Sequence, residues 1–405
     1  MKKNLFTLLS VLVLTSLVLA ACGPAATAVP PTQPPAAAPT QVPKVELSVW
    51  HSYHTGGSEE QALTQIVAAY TKANPNVTVN VQNIPFDQIF NKWKTDAASG
   101  GAAADMFTAP NDDLGNWVRA GLVLPLDDLL KGKLDKVSKA GVDGMTVDGK
   151  IYGVPGIIKA VALYYNKSTV ANPPKTTDDL LALVKSGKKL VLNESAYHNY
   201  GFFPAFGGKL MDDTGKCIAD QGGYVEAMQY LVDLKAAGAT LESDGGKADS
   251  GFRQGQYDMI VNGPWVLGDY KKDLGDKLGV VPMPTGPKGP AMPLSGIDGW
   301  YINPNTNNAK AAVDLALYIF SADGLKTYAD VAGDPPARTD VTAADPLVKA
   351  FADAAAAGFP RPQSAEFGNW WTPFGDMLTK VVEGKATPAD GVKQACADMN
   401  KANKK

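Results

Sequence analysis

The sequence predicts an α/β fold arranged as two domains, on three observations. Residues 45 to 81 read strand, helix, strand, a β-α-β unit that calls for a parallel sheet and a right-handed crossover. The body beyond residue 44 runs to roughly 360 residues, more than a single core usually serves. Several apolar strands end in short polar or aromatic loops, and parallel α/β sheets gather ligands at the carboxyl ends of their strands.

The N-terminus stands apart from that body. Lys2 and Lys3 precede an apolar run from Leu5 to Leu19, then Ala20-Ala21-Cys22. A basic stretch, an apolar stretch and small residues make a secretory signal over residues 1–21, which is excluded from the fold. Leu19-Ala20-Ala21-Cys22 resembles a bacterial lipobox. That resemblance implies cleavage before Cys22 and lipidation of its thiol; the alternative is an ordinary signal cut near Ala21. Residues 22–44 are then the lipidated Cys and a tether. Pro, Ala and Thr bury too little apolar surface to fold, and such a chain reaches on the order of 60 Å. The expected location is the outer face of the cytoplasmic membrane, as an exported, membrane-anchored lipoprotein. No later stretch is long and apolar enough to span a bilayer.

Composition excludes some partners. The formal charge is −3, or −5 without Lys2 and Lys3, and no basic stripe appears, so nucleic acid is not an expected partner. A monomer is expected. Cys217 and Cys396 are the other two cysteines. Outside the cell they suggest a disulfide, with two separate buried thiols as the alternative.

Val45 to Trp50 alternates as a strand. After a polar loop at residues 51–57, Ser58-Glu59-Glu60-Gln61 reads as a capping box. Leu63, Ile66, Val67 and Tyr70 then fall on one helical face, Asn74-Pro75 ends the helix, and Val77, Val79 and Val81 alternate in the next strand. Asp105 to Pro110 is a short strand, followed by Asn111-Asp112-Asp113-Leu114-Gly115, where either acid could cap a helix or face a ligand. Gly149 to Pro155 reads as a hairpin edge entering a strand. Gly144 to Lys150 has the first part of a phosphate-loop spacing, but Ile151 stands where Ser or Thr must bind magnesium. Val161 to Lys167 is an apolar strand, and a helix is capped near Thr177. In the aromatic stretch Tyr197 to Pro204, Phe202 and Phe203 suit a core, whereas the hydroxyls of Tyr197 and Tyr200 suit a cleft. Residues 224–237 form a helix. Met259-Ile260-Val261 is a buried strand stopped by Asn262-Gly263-Pro264, which presents Trp265, either a core residue or a ligand platform. Residues 298–304 are a strand, 309–320 a helix, 333–338 a turn-rich connector, and Phe367 to Pro373 precedes a helical end.

No HExxH, CxxC or GxSxG motif is present, and His51, His54 and His198 have no metal-ligand spacing. No catalytic residue, metal or cofactor is expected. Instead, Tyr200, Trp265, Trp300, Trp370 and Trp371 stand at element ends, interleaved with Ser52, His54, Asp112 and Asp113. Sugars offer apolar C–H faces to aromatic rings and hydroxyl edges to carboxylates and hydroxyls. An amino acid ligand would need paired Arg and Asp, and only Arg119 and Arg253 precede position 300 in the body.

Leu47-Ser48-Val49-Trp50, Ala104-Asp105-Met106-Phe107, Asn111 to Gly115, Gly149 to Pro155, Tyr165-Asn166-Lys167, Asn262-Gly263-Pro264-Trp265 and Asp298 to Asn303 together resemble the sugar-binding lipoproteins of ABC importers, of the maltose/maltodextrin-binding type. The likeness spans essentially everything after residue 44. It implies the two-lobed periplasmic-binding-protein fold, a hinged clamshell with three crossings between lobes, near 157–161, 296–302 and 333–340. The implied N-lobe is 45–158 with 301–335, and the C-lobe 159–300 with 336–405. The implied partners are a carbohydrate of the maltose/maltodextrin class and the transmembrane permease subunits. Asp112 matches a position that hydrogen-bonds sugar. Tyr200, Trp265 and Trp371 match stacking aromatics, and Ser52 and His54 match the first ligand-touching loop. The expected ligand-binding residues are Ser52, His54, Asp112, Asp113, Lys159, Tyr200, Trp265, Trp300 and Trp371. His54, Ala109, Asp113 and Lys159 depart from the family's residues, Lys159 standing where the family has a contacting acid, which leaves the particular sugar open. The alternatives are an exported glycoside hydrolase using Asp112, and a binding protein for another sugar or a non-sugar solute.

Overall fold

The computed structural model describes residues 43–100 and 103–405. The signal, Cys22 and the tether up to residue 42 lie outside the described residues. In chain order, β1 (Val45–His51), α1 (Ser58–Ala73), β2 (Val77–Asn83) and β3 (Met106–Pro110) open the fold, and α2 (Leu114–Arg119) follows. A hairpin of β4 (Thr146–Val147) and β5 (Lys150–Ile151) leads into β6 (Val154–Lys159). Then come β7 (Ala162–Asn166), α3 (Thr177–Lys185), β8 (Leu190–Asn193), α4 (Tyr224–Ala236), β9 (Thr240–Glu242), α5 (Gly245–Arg253), β10 (Met259–Asn262), α6 (Leu267–Leu274) and β11 (Leu278–Val281). The chain returns through β12 (Leu294–Ile302), α7 (Ala309–Ile319), α8 (Ala322–Val331) and β13 (Phe359–Pro360), and ends with α9 (Trp371–Val382) and α10 (Pro388–Asn403).

The expected β-α-β unit is present. β1 pairs in parallel with β2 from Val45–Val77 to His51–Asn83, and β3 lies parallel on its other side. The helix starts differently. Ser58 is its first residue, Gly57 is the N-cap, and no side chain caps it. Glu60 instead accepts from the Gly56 N–H at 2.6 Å, and Glu59 turns inward. α3 does begin with a capping box, but on Thr176 and Asp179 rather than Thr177.

Among the described residues the strands make two large sheets. In one the order is β13-β12-β3-β1-β2, with β6 also on β12; in the other it is β11-β7-β10-β8-β9. Each sheet carries a core on both faces; β8 and β10 of the second sheet accordingly read as near-continuous apolar runs, whereas the edge strand β2 of the first alternates. β12 lies whole in the first sheet, between β3 and β6. Segment 335–337 runs along the far edge of β6, with the Ile158 N–H on the Pro335 carbonyl and the Ala337 N–H on Gly156. Residues near 157–159, 296–298 and 334–337, the three expected crossings, therefore lie side by side.

A bulge at Gly156 sets which way β6 faces there. Asp298 pairs with Ile157 and Gly299 with Pro155, so Gly156 is the extra residue. A β-carbon on Gly156 would meet the Phe320 ring at 2.2 Å, so only glycine fits. The extra residue flips the alternation and brings Lys159 onto the face of Asp298. Farther on, Cys217 and Cys396 form a disulfide with Cα atoms 5.4 Å apart, tying α10 to the loop before α4.

Candidate functional site

A cavity of about 520 Å³ opens at the strand ends of both sheets. From the first sheet it takes Ser52, Tyr53 and His54 after β1, Glu59 in the first turn of α1, Thr108 to Pro110 at the end of β3, Asp112 just beyond, Lys159 at the end of β6 and Asp298 in β12. From the second it takes Asn193 at the end of β8 and Ser195 just beyond, Tyr197 and His198, Gly245, Gly246 and Asp249 of α5, and Asn262 at the end of β10 with Trp265 after it. Arg361, past β13, and Trp371, opening α9, complete it.

The walls differ in chemistry. On the second-sheet side, Trp265 and Tyr197 lie with ring centroids 6.2 Å apart. The Arg361 guanidinium sits 5.2 Å from the Tyr197 ring and 5.8 Å from the Trp371 ring, so one cation joins two aromatics in a row. The row is held from behind. The Asn262 side chain accepts from the Gly263 N–H at 2.8 Å and donates to Asp249 at 2.7 Å, which fixes the turn that presents Trp265. A β-carbon on Gly263 would lie 1.9 Å from the Trp265 ring, so the ring folds back over the glycine.

The facing wall is charged. Asp112 is ion-paired with Arg361, whose side chain is buried. Burial pulls the Arg361 pKa down to about 9, so it stays protonated at neutral pH beside its carboxylate. Lys159 is enclosed with three acids. Its Nζ reaches Glu59 at 2.5 Å, Asp334 at 2.8 Å and Asp298 at 3.4 Å. Burial opposes the charge on Lys159, but Asp334, Glu59 and Asp298 outweigh it and hold its pKa well above the ordinary value. Burial pushes the Glu59 carboxyl well above its usual range and that of Asp298 to about 6, against the pull of Lys159. Burial lowers His198 to about 4, leaving a neutral ring whose Nδ1 has no partner.

Of the residues expected to bind ligand, Ser52, His54, Asp112, Lys159, Trp265 and Trp371 line the cavity. Three do not. Asp113 turns away and accepts from Asn116 at 2.5 Å, because neighbouring residues on a turn point apart. Tyr200 is 3% exposed, packed against Phe203, Phe359 and Trp370 in the second sheet's core. Trp300 is fully buried in the first sheet's core, since its face of β12 lies under α7 and α8 at that point. Lys159 lines the cavity with its ammonium already engaged by carboxylates. Sequence reasoning did not select Glu59, Asp298 or Arg361. The one signal for Arg361 was a lone Arg between Pro360 and Pro362, close ahead of an aromatic run.

Residues 65–357 match the family model described as bacterial extracellular solute-binding protein. The chain belongs to that family. Among curated relatives, this solute-binding protein is 25% identical over 352 residues to a maltotriose-binding protein of Pyrococcus abyssi, covering 80% of this chain and 75% of that one. It is 26% identical over 409 residues to a galactooligosaccharide-binding protein of Bacillus subtilis, covering 94% and 93%. Among solved structures it is similar to a Thermus thermophilus maltotriose binding protein bound with maltotriose, with 29% identity, a TM-score of 0.81, and 88% and 100% of the two chains covered. The fold is therefore the two-lobed periplasmic-binding-protein fold, one sheet to a lobe. Among the described residues no helix is long and apolar enough to cross a membrane.

Proposed function

We propose that this solute-binding protein captures a neutral oligosaccharide, of the maltodextrin class, and delivers it to the permease of an ABC importer. One observation carries the reading: a row of rings, Trp265, Tyr197 and Trp371, faces a wall of carboxylates across one cavity. Rings cover the apolar faces of a sugar while Asp112, Ser52 and His54 take its hydroxyls. The relatives' names support a sugar, and the maltotriose-binding ones favour the malto class. The lobes turn about the three adjacent crossings, and a solute that touches both walls favours the closed state. Asp112 acts as a binding group, not as a hydrolase acid. Cys22 carries the lipid that anchors the protein; mass spectrometry of the native N-terminal peptide should find it acylated, and an unmodified Cys22 would remove the anchor.

Calorimetry with maltose, maltotriose, maltotetraose, a galactooligosaccharide and spermidine tests the reading. The expected result is tight binding of a maltodextrin with no release of reducing ends. Binding of spermidine alone, or hydrolysis, would overturn it. Gly263→Ala is expected to weaken binding roughly tenfold, about 1.4 kcal/mol, because its β-carbon displaces the Trp265 ring. Equal affinity in that variant would show that Trp265 need not sit where it does.

A further inference from the structure

We propose that Asp298 is a ligand-binding residue of this site, accepting a sugar hydroxyl, and that Lys159 is its positioning residue and does not touch the solute. The proposal rests on the oligosaccharide reading above and names a contact within it.

Asp298 lines the cavity and is 4% exposed, yet its Oδ1 has no hydrogen-bond partner. Its other oxygen, Oδ2, faces the Lys159 ammonium. A buried carboxylate oxygen left unpaired is costly, and a hydroxyl donor arriving in the cavity would satisfy it. Lys159 cannot offer the same service. Its ammonium is already shared among Glu59, Asp334 and Asp298, which take up its donors, and it stands over the Trp265 ring at 5.9 Å from the centroid. The Gly156 bulge is what puts Lys159 on the face of Asp298. A cation therefore stands where the resemblance led one to expect a contacting acid, and the acid is supplied from the neighbouring strand.

The groups around Asp298 come from every packed element. Lys159 is on β6, Glu59 on α1 and Asp334 follows α8, while Tyr53, Tyr197 and Tyr301 feel its charge. Burial and Asp334 disfavour its ionisation and Lys159 favours it. A hydroxyl donates best to the ionised carboxylate, so binding should weaken as Asp298 takes up its proton. With a carboxyl that titrates at about 6, affinity falls about tenfold between pH 7.5 and pH 5.0.

The test is calorimetry across that pH range with maltotriose, or with the tightest sugar of the panel above, on wild type, Asp298→Asn and Lys159→Met. Asp298→Asn keeps the side chain's shape and should bind at least tenfold more weakly at pH 7.5, with the pH dependence lost. Lys159→Met should shift the midpoint of the pH dependence upward, since Asp298 loses the charge that keeps it ionised. A merely structural lysine would lower affinity without moving that midpoint. If Lys159→Met does not fold, the Asn variant decides alone. Wild-type affinity that is flat with pH, or an Asp298→Asn protein within twofold of wild type, overturns the proposal while leaving the sugar reading intact. A wild type that binds no sugar overturns both.

Discussion

Replacing Lys159 with Met is expected to lower the free energy of unfolding by about 3 to 5 kcal/mol at pH 7.5, read by urea denaturation. The reason is what the lysine leaves behind. Glu59, Asp298 and Asp334 are all nearly without solvent exposure, and their one ammonium would be gone. Burying a charge pair adds little net stability, but removing one partner strands the other. Here one cation serves three acids, so its loss strands more than one. The pH dependence follows from the sign of the shifts. Asp298 in the fold titrates at about 6, above its ordinary value of 3.8, and Glu59 is also raised. A carboxyl raised in this way adds stability below its unfolded pKa and loses that contribution as pH rises through the folded one. Without Lys159 the penalty of ionisation grows, so the deficit of the variant should be largest near pH 7.5 and shrink toward pH 5. A deficit under about 1 kcal/mol at pH 7.5, or one that grows on acidification, would show that the cluster is hydrated or otherwise compensated.

The contrast between what the sequence reveals and what it hides has the same origin. The β-α-β unit is legible because its signals are local: Val77, Val79 and Val81 alternate within a few residues, and Leu63, Ile66, Val67 and Tyr70 share one helical face. Trp265 is legible because Asn262-Gly263-Pro264 stops a buried strand directly before it. Glu59 and Lys159 lie 100 residues apart, and nothing near either announces the other. Glu59 in a first helical turn looks like an acid placed for the helix dipole, an adequate explanation that conceals a second role. Arg361 lay beyond the stretch in which a shortage of arginine was used to argue against charged ligands. It is present in the cavity, but Asp112 neutralises it. Tyr197 and Tyr200 show the limit of pattern. They sit three residues apart around a one-turn helix, Ala196–Asn199, and the phase of so short an element decides which ring meets the cavity. Tyr197 lines it and Tyr200 enters the core.

Trp265→Ala is expected to weaken sugar binding by about 3 to 4 kcal/mol, on the order of a hundred- to a thousand-fold in Kd, with the fold retained. The size follows from the position of the ring. Trp265 is half-buried, so one side is free for a ligand while the other is backed by the second lobe. Tyr197 stands 6.2 Å away and His198 5.9 Å away, which keeps the indole from rotating and limits what it loses in freedom when a sugar arrives. The asymmetry of the cavity adds to the effect. Hydroxyls moved from water onto Asp112 exchange one hydrogen bond for another and contribute about 1 kcal/mol each. A ring laid on a sugar's C–H face removes apolar surface from water with no such exchange. The aromatic wall should therefore supply most of the affinity and the charged wall most of the selection among sugars. Two results separate these roles. In Trp265→Ala all sugars that bind should weaken by a similar factor, whereas Asp298→Asn should alter their order of preference. A Trp265→Ala protein that keeps wild-type affinity would return this ring to a packing role and leave Tyr197 and Trp371 as the stacking surface.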